Sequence, residues 1–140
     1  MAMHPFVLEP RLAAGSYDVC RLDLCHVLLK DDARWPWLIL VPERRGLREL
    51  HDLSEVDALM LLREVRAASR AVAALAGVQK VNVGALGNVV RQLHIHVVGR
   101  GEGDAAWPDP VWGVKGREPY APGSADAVIA RVKPGLLAGE

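Results

Sequence analysis

The chain has 140 residues, of which 51% are hydrophobic and 24% charged, a balance that predicts one globular domain over residues 1–140. Seventeen basic and seventeen acidic residues give a net charge of zero, so we expect no broad basic surface and no nucleic-acid partner. The N-terminus lacks the pattern of a signal peptide, and no apolar run has the length of a membrane span. We therefore expect a soluble, cytoplasmic protein with no membrane partner.

Two strands are predicted in the first third of the chain. Near alternation of apolar residues indicates one strand over residues 18–30, and a short apolar run bounded by prolines indicates a second over residues 35–43. The two runs suit a hairpin. Cys20 and Cys25 would lie on opposite faces of the first strand, so we expect two reduced thiols and no disulfide between them.

A long amphipathic helix is predicted over residues 54–77. Ser54 can cap its N-terminus, with Asp57 three residues on, and Gly77 can end it. Helical spacing predicts an apolar face made of Val56, Leu59, Leu62, Val65, Val72 and Leu75. The predicted polar side carries Arg63, Glu64, Arg66 and Arg70.

The second half of the chain predicts two more strands and a final helix. A short strand within residues 78–87 breaks up at Gly84 and Gly87, and residues 91–100 form the next strand of the same antiparallel sheet. Residues 101–113 are rich in Gly, Pro and Trp, which indicates a loop or a loosely packed arm. A helix over residues 124–137 completes a single α+β domain.

The run "RQLHIHVVGR" at residues 91–100 carries the most informative pattern. Gln92, His94 and His96 fall on alternate positions and would form one polar row on a strand. The other face of that strand would be apolar, with Leu93, Ile95 and Val97. Two imidazoles and an amide in one row are unusual for a strand that is otherwise apolar, and they mark a candidate site.

Three interpretations of this row are open. In the first, it is a solvent-facing edge of the sheet on which the histidines have no function. In the second, two histidines chelate zinc, although His4, His26 and His51 are scattered and do not have the spacing of a ligand set. In the third, a neutral imidazole attacks phosphorus and forms a covalent phosphoramidate. The glycines of "NVGALGN", just upstream, could then offer backbone amides to a phosphate.

The segment "QLHIHVV" resembles the histidine-triad signature, His-φ-His-φ-His-φ-φ, of the HIT superfamily of nucleotide hydrolases and nucleotidyl transferases, with Gln92 in the place of the first histidine. "WLILVP", "LRELHDLSEVDALMLL" and "VNVGALGN" resemble segments of its fragile-histidine-triad branch, so the likeness covers about residues 18–102. The resemblance implies an antiparallel sheet of about five strands with one long and one C-terminal helix. It also implies a homodimer that acts on a small-molecule nucleotide. We expect neither a cofactor nor a bound metal.

The resemblance also implies roles for individual residues. His94 falls on the family's nucleophile, which would attack the α-phosphate and hold a nucleotidyl group until water or another acceptor takes it. His96 would donate a hydrogen bond to a phosphate oxygen, and Gln92 would be a supporting group. Asn82 matches a polar residue near the leaving group, and Asp31 matches the residue that holds the ribose.

The segment before the triad departs from the family pattern. Val89 stands where the family often has a serine or threonine that contacts phosphate. Either Asn88 replaces this contact or the contact is missing. Gly87, Asn88 and Val89 together form the predicted substrate-binding segment.

Several other residues have two interpretations each. Trp35 and Trp37 either stack on a base or lie in the core or at a dimer interface. Trp107 and Trp112 belong to an arm that either closes over the site of a neighbouring subunit or packs on the surface. Solvated side chains are expected for Arg91 and Arg100, and core positions for Cys25 and His26.

Two functions of different classes follow from the sequence. The first is an enzyme that cleaves a nucleoside-monophosphate phosphoanhydride or phosphoramidate, such as a dinucleoside polyphosphate, through a nucleotidyl-His94 intermediate. The second is a purine-nucleotide-binding module in which Gln92 and Val89 mark weak or lost catalysis. The sequence does not choose between dinucleoside polyphosphates, phosphoramidates and sugar nucleotides.

Overall fold

The computed structural model describes residues 5–138 and contains one five-stranded antiparallel sheet with the strand order β1-β2-β3-β5-β4. The strands are β1 (Ser16–Arg21), β2 (Cys25–Lys30), β3 (Trp37–Pro42), β4 (Lys80–Gly84) and β5 (Ile95–Arg100). The helices are α1 (Pro10–Ala14), α2 (Glu55–Ala73) and α3 (Ser124–Leu137), with short 3-10 turns at Leu50–Asp52 and Val111–Gly113. The predicted α+β fold with a five-stranded sheet is confirmed. None of the helices in residues 5–138 is both long and apolar enough to cross a membrane.

Both faces of the sheet are covered. Helices α2 and α3 pack on one face, which presents Val27, Leu29, Leu38, Leu40, Ile95 and Val97. The other face is covered by Leu12 of α1 and by Trp35 and Val111, and it presents Leu28, Trp37, Ile39, Val41 and Val98. Because neither face meets bulk water, strands β3 and β5 are buried along their whole length. We call the second face the site face, since His96 lies on it between β3 and β4.

The single strand predicted over residues 18–30 is wrong, because this segment belongs to two strands. β1 and β2 form a hairpin with Arg21 opposite His26, and the Leu22 N–H donates to the Cys25 carbonyl over 2.8 Å. Cys20 and Cys25 therefore lie on neighbouring strands rather than on opposite faces of one strand. Both are free and buried, and burial raises the pKa of each thiol.

Helix α2 begins as the sequence predicts, because the Ser54 hydroxyl accepts a hydrogen bond from the Asp57 N–H over 3.1 Å. It ends at Ala73, before Gly77, whose φ of +82° lies in the turn that follows. The helix is therefore shorter than predicted. Gly77 does not end the helix but lies in the turn that leads into β4.

The predicted apolar face of α2 is wrong in its N-terminal half. Val56, Leu59 and Leu62 are 69%, 70% and 57% exposed, whereas the side that meets the sheet carries Leu61, Glu64, Ala67, Ala68, Ala71 and Val72. Small side chains let the helix approach closely, and Gly99 of β5 allows it: a Cβ there would lie 2.9 Å from Val72 Cγ1. Helical spacing finds two apolar stripes and cannot tell which one meets the sheet.

Glu64, predicted on the polar side, is buried at the turn between β1 and β2. Its Oε1 accepts a hydrogen bond from the Cys25 N–H over 2.8 Å, and its Oε2 accepts one from the Leu24 N–H over 2.9 Å. The carboxylate thus satisfies two donors that the turn leaves without strand partners. This contact ties the β1–β2 hairpin to α2.

We predict that Glu64→Gln lowers the stability of the fold by about 2 kcal/mol, because the glutamine NH₂ cannot accept and would face a buried N–H donor. The free energy of unfolding in urea measures this loss. Arg63→Gln is the matched control, since Arg63 is exposed and adjacent. Equal unfolding midpoints for Glu64→Gln and wild type would contradict the role assigned to this carboxylate.

Candidate active site

His94 and His96 lie side by side on the site face, with their ring centroids 4.9 Å apart. Both are largely buried, at 6% and 9% exposure. β5 begins only at Ile95, so His94 immediately precedes the strand and Gln92 lies outside it, which makes the strand shorter than the predicted residues 91–100. The apolar partners Leu93, Ile95 and Val97 are in the core, as predicted.

The protonation of the His94 ring is set by a backbone carbonyl. Its Nδ1 lies 2.7 Å from the main-chain oxygen of Gln92. A carbonyl oxygen can only accept, so Nδ1 carries the hydrogen and, in the neutral ring, Nε2 carries a lone pair. This arrangement leaves His94 with a free nucleophilic nitrogen.

The His96 ring is held in the opposite tautomer by Trp37. The indole Nε1–H donates to His96 Nδ1 over 2.9 Å in a buried contact. An indole nitrogen can only donate, so Nδ1 is the acceptor and Nε2 carries the hydrogen. Burial, helped by the neighbouring His94 and Lys30, lowers the pKa of His96 to about 3. At neutral pH His96 is therefore an uncharged hydrogen-bond donor beside the Nε2 of His94.

Two tryptophans, Trp37 and Trp112, contact the His96 ring, and Trp35 packs against Trp37. Trp37 makes edge contacts with Trp35 and Trp112, at centroid distances of 6.2 and 6.4 Å, and Trp35 and Trp37 are buried in the core. The ring centroids of Trp112 and His96 are 5.7 Å apart. Trp112 also packs on Gly84, where an added Cβ would lie 3.0 Å from the Trp112 Cη2. Trp112 thus covers the site of its own chain, whereas Trp107 lies 5.8 Å from the Arg100 guanidinium.

His94 and His96 line a cleft of about 380 Å³ together with the loop after β4. The predicted substrate-binding residues Gly87, Asn88 and Val89 all lie along this cleft. Gly87 has a φ of +74°, which a side chain rarely adopts, and Val89 is 76% exposed. The loop therefore brings its backbone beside the imidazoles, with no hydroxyl at the position of Val89.

Gln92 is engaged by the N-terminal segment. Its Oε1 accepts from the Glu9 N–H and its Nε2 donates to the Val7 carbonyl, both over 2.8 Å. The carboxamide thus accepts from one backbone group of this segment and donates to another, as the backbone of a neighbouring strand does. Phe6 and Leu8 of the same segment pack on the hydrophobic cluster of the site face. Gln92 thus fastens a covering segment beside His94.

Two predicted site residues are not brought into the cleft. The Asp31 carboxylate accepts from the Tyr120 N–H over 2.9 Å, and the Asn82 Oδ1 accepts from Arg100 over 2.9 Å. Arg100 is 2% exposed and forms an ion pair with Asp104 over 2.8 Å, so the prediction that it is solvated is wrong. Sequence reasoning missed Lys30, which lines the cleft instead of Asp31. The alternation of β2 would have revealed it, because Lys30 shares the face of Leu28.

Within residues 5–138, no three His, Cys, Asp or Glu side chains are grouped closely enough to hold a metal ion. Cys25 and His26 are buried at 0% and 6% exposure, as core residues would be. The His26 ring contacts Asp18. His4 lies outside the described residues, and His51 is exposed.

An antiparallel five-stranded sheet with two paired histidines at the start of an inner strand defines the histidine-triad class of proteins. The model of the HIT domain matches residues 15–103, and the chain belongs to the HIT domain family. Proteins with this domain are generally nucleotide-binding hydrolases or transferases. The chain matches none of the curated proteins with which it was compared.

Solved structures of bacterial histidine-triad proteins agree over almost the whole chain. The protein from Marinobacter aquaeolei VT8 is 42% identical, with a TM-score of 0.93 and coverage of 98% of this chain and 100% of that one. The Sinorhizobium meliloti 1021 protein is 42% identical, with a TM-score of 0.90 and coverage of 93% and 96%. The Bradyrhizobium japonicum protein is 38% identical, with a TM-score of 0.92 and coverage of 95% and 99%.

We predict that His96 makes the fold less stable in mild acid. Its pKa is about 3 in the folded protein, against about 6.5 for an unfolded histidine. Between these values the unfolded chain binds more protons, so stability falls as pH drops below about 6.5, by up to about 1.4 kcal/mol per pH unit. Urea unfolding at pH 7 and pH 5 measures this, and His96→Asn should lose that part of the pH dependence.

His51→Asn is the control, because His51 is exposed. It should keep the pH dependence of the wild type. If wild type and His96→Asn lost the same stability between pH 7 and pH 5, the buried neutral state of His96 would be contradicted.

Proposed function

We propose that this protein is a nucleotide hydrolase or nucleotidyl transferase that cleaves a nucleoside-monophosphate phosphoanhydride or phosphoramidate through a nucleotidyl-His94 intermediate. The observation that carries the proposal is the pair of opposite tautomers in one cleft: a free nitrogen on His94 and an N–H on His96. We also propose that the chain belongs nearest to the fragile-histidine-triad branch. The order of strand, connector, long helix and pre-triad segment supports that placement.

In the first chemical step, the Nε2 lone pair of His94 attacks the α-phosphorus. A phosphorus–nitrogen bond forms, and the bond to the leaving oxygen or nitrogen breaks with its electron pair, which takes up a proton from solvent. The ring becomes positively charged, and its Nδ1–H remains hydrogen-bonded to the Gln92 carbonyl, which favours that charge. The Nε2–H of His96 would donate to a phosphate oxygen as negative charge develops there.

In the second step, water or another acceptor attacks the same phosphorus. The phosphorus–nitrogen bond breaks, the electron pair returns to His94 Nε2, and the acceptor loses its proton to solvent. The product is a nucleoside monophosphate or its ester. Backbone groups of the Gly87–Val90 loop, which lines the cleft, are suited to bind the phosphate through both steps.

The alternative is a nucleotide-binding module without turnover. Two observations favour it: the Gln92 side chain is occupied by Val7 and Glu9, and Val89 offers no hydroxyl to phosphate. The intact pairing of His94 and His96 favours the enzyme, since nucleotide binding alone does not require a buried nucleophile with a fixed tautomer.

We also propose that the protein acts as a homodimer. Val56, Leu59 and Leu62 of α2 are exposed, and Leu62 and Val83 line an apolar groove of about 450 Å³ between α2 and β4. β4 is an edge strand of the sheet, and within residues 5–138 no other strand pairs with its outer side. An apolar helix face beside an open strand edge can pair with a second copy of itself about a two-fold axis.

Removal of the nucleophile tests the proposed mechanism. With diadenosine polyphosphate and adenosine 5′-phosphoramidate as substrates, we predict that His94→Ala lowers turnover by about a thousandfold or more, because no covalent intermediate can form. Arg131→Ala, at an exposed position on α3, should keep wild-type turnover. Equal turnover by His94→Ala and wild type would contradict the mechanism, and AMP binding without any turnover by wild type would favour the binding module.

A charge in the apolar groove tests the dimer. We predict that wild type has twice the mass of one chain by analytical ultracentrifugation and that Leu62→Arg has the mass of one chain, because an arginine there cannot be buried without a partner. Leu137→Arg is the matched control, since Leu137 on α3 is 56% exposed and Leu62 is 57% exposed. A monomeric wild type, or a dimeric Leu62→Arg, would contradict the proposal.

A further inference from the structure

The cleft that holds His94 and His96 is lined by two cationic side chains, Arg11 and Lys30. None of the residues 5–138 that line it is an aspartate or a glutamate. Within the same residues, neither Arg11 nor Lys30 forms an ion pair with a carboxylate within 4.0 Å. Among residues 5–138, the lining of this cleft therefore carries positive charge and no carboxylate, and the carboxylates that act on Lys30, namely Asp32 and Asp31, lie outside this lining.

The sheet directs Lys30 into this cleft. It is the last residue of β2, and Leu28 on the same face pairs with Ile39, which pairs with His96. β2 and β5 are separated by two strand spacings, or about 10 Å. The lysine chain is partly buried, and its Nζ lies 5.1 Å from the centroid of the Trp37 ring. Its ammonium group thus stands on the wall of the cleft near the imidazole that Trp37 holds.

The position of Lys30 carries an electrostatic cost. Burial lowers the pKa of its ammonium group, which means that the charged form is less well solvated than in water. The Trp37 ring offsets part of this cost through a cation–π contact. A partly buried cation on the wall of an open cleft is further stabilised when an anion binds there.

The nearby carboxylates are engaged by other groups. Asp31 accepts from the Tyr120 N–H, and Asp32 forms an ion pair with Arg34 over 2.8 Å. No carboxylate among the lining residues is therefore available for a ribose diol, and the side chain that the end of β2 presents to the cleft is the lysine. A cation recognises an anionic group rather than a pair of hydroxyls.

We propose that Lys30, assisted by Arg11, binds a second anionic group of the substrate: a phosphate on the ribose of the nucleotide whose 5′-phosphate lies at His94. This inference rests on the proposed function for the location of the first phosphate. Lys30 lies two strands from His96 and two residues further along β2 than Leu28, and its side chain extends over Trp37, whose ring contacts His96. This separation suits a ribose with phosphates on both sides. Arg11, exposed at the rim on α1, adds a second donor for the same group.

Calorimetric titration of wild type with four ligands tests this proposal: AMP, ADP, adenosine 2′,5′-bisphosphate and adenosine 3′,5′-bisphosphate. We expect at least one of the two bisphosphates to bind about 10-fold more tightly than AMP, as one additional charge-assisted hydrogen bond would give. Equal affinity for AMP and both bisphosphates would overturn the proposal. So would a preference for ADP alone, since the second anion would then lie on the 5′ chain.

Variants at Lys30 separate its charge from its packing. Lys30→Met keeps an unbranched chain over Trp37 and removes the charge, so the bisphosphate preference should fall to less than about twofold while AMP affinity changes little. Lys30→Arg should retain the preference, and Lys115→Met, at an exposed position just after the arm, should leave it unchanged. A full preference in Lys30→Met would mean that the lysine only packs on Trp37, and would overturn the proposal.

The same titration with His94→Ala keeps the two proposals apart. This variant should lose turnover and keep the bisphosphate preference, because Lys30 and Arg11 are unchanged. If wild type prefers a bisphosphate but shows no turnover, the proposed reaction at His94 is contradicted and the second anion site is not. If wild type shows turnover but no preference for a bisphosphate, the second anion site is contradicted and the proposed reaction is not.

Discussion

The hydrogen bond from the Trp37 indole to Nδ1 of His96 is the contact on which the site depends. It exists because β3 and β5 pair in a register that sets Trp37 opposite Val98 and Ile39 opposite His96. A slip of one residue would turn Trp37 to the helical face of the sheet and leave His96 without this donor. The same bond decides which nitrogen of His96 carries the hydrogen, and so which group His96 presents to the cleft.

The segments that cover the site face bury the hydrogen bond between Trp37 and His96. The N-terminal segment, fastened by Gln92, and the arm that carries Trp112 cover much of this side of the sheet around the cleft. In this environment a charged imidazole is disfavoured, and His96 stays neutral well into acid. Gln92 thus belongs to the packing around the site, because its side chain bonds the N-terminal segment that lies beside His94.

Alternation and spacing predicted the parts of the molecule that local pattern determines. "QLHIHVV" predicted that His94 and His96 share one face and that Leu93, Ile95 and Val97 enter the core, and Ser54 marked the start of α2. Contacts between distant segments were beyond local pattern. The break between β1 and β2 has no glycine or proline to signal it, because Glu64, some 40 residues away, supplies the acceptors that the turn needs. Arg100 is buried because Asp104 and Asn82 meet it there.

The sequence predicts one continuous strand over residues 18–30, and the family resemblance points to Asp31 rather than to Lys30. Once β2 is recognised as a separate strand, the face of each residue follows from parity, and Lys30 joins Leu28 on the site face. For helix α2, the local pattern offers two answers instead of one. Two apolar stripes run along α2, and only the packing of its alanines against Gly99 identifies the inner one.

Nitrogen-15 NMR of the imidazole rings tests the central claim most directly. In histidine-labelled protein at neutral pH, long-range proton–nitrogen spectra distinguish the two neutral tautomers, and the His94→Ala and His96→Asn variants assign the signals. The hydrogen bonds predict opposite tautomers: hydrogen on Nδ1 of His94, and hydrogen on Nε2 of His96 with no titration between about pH 5 and 8. The same tautomer for both rings, or a His96 ring that titrates near about pH 6.5, would contradict the claim.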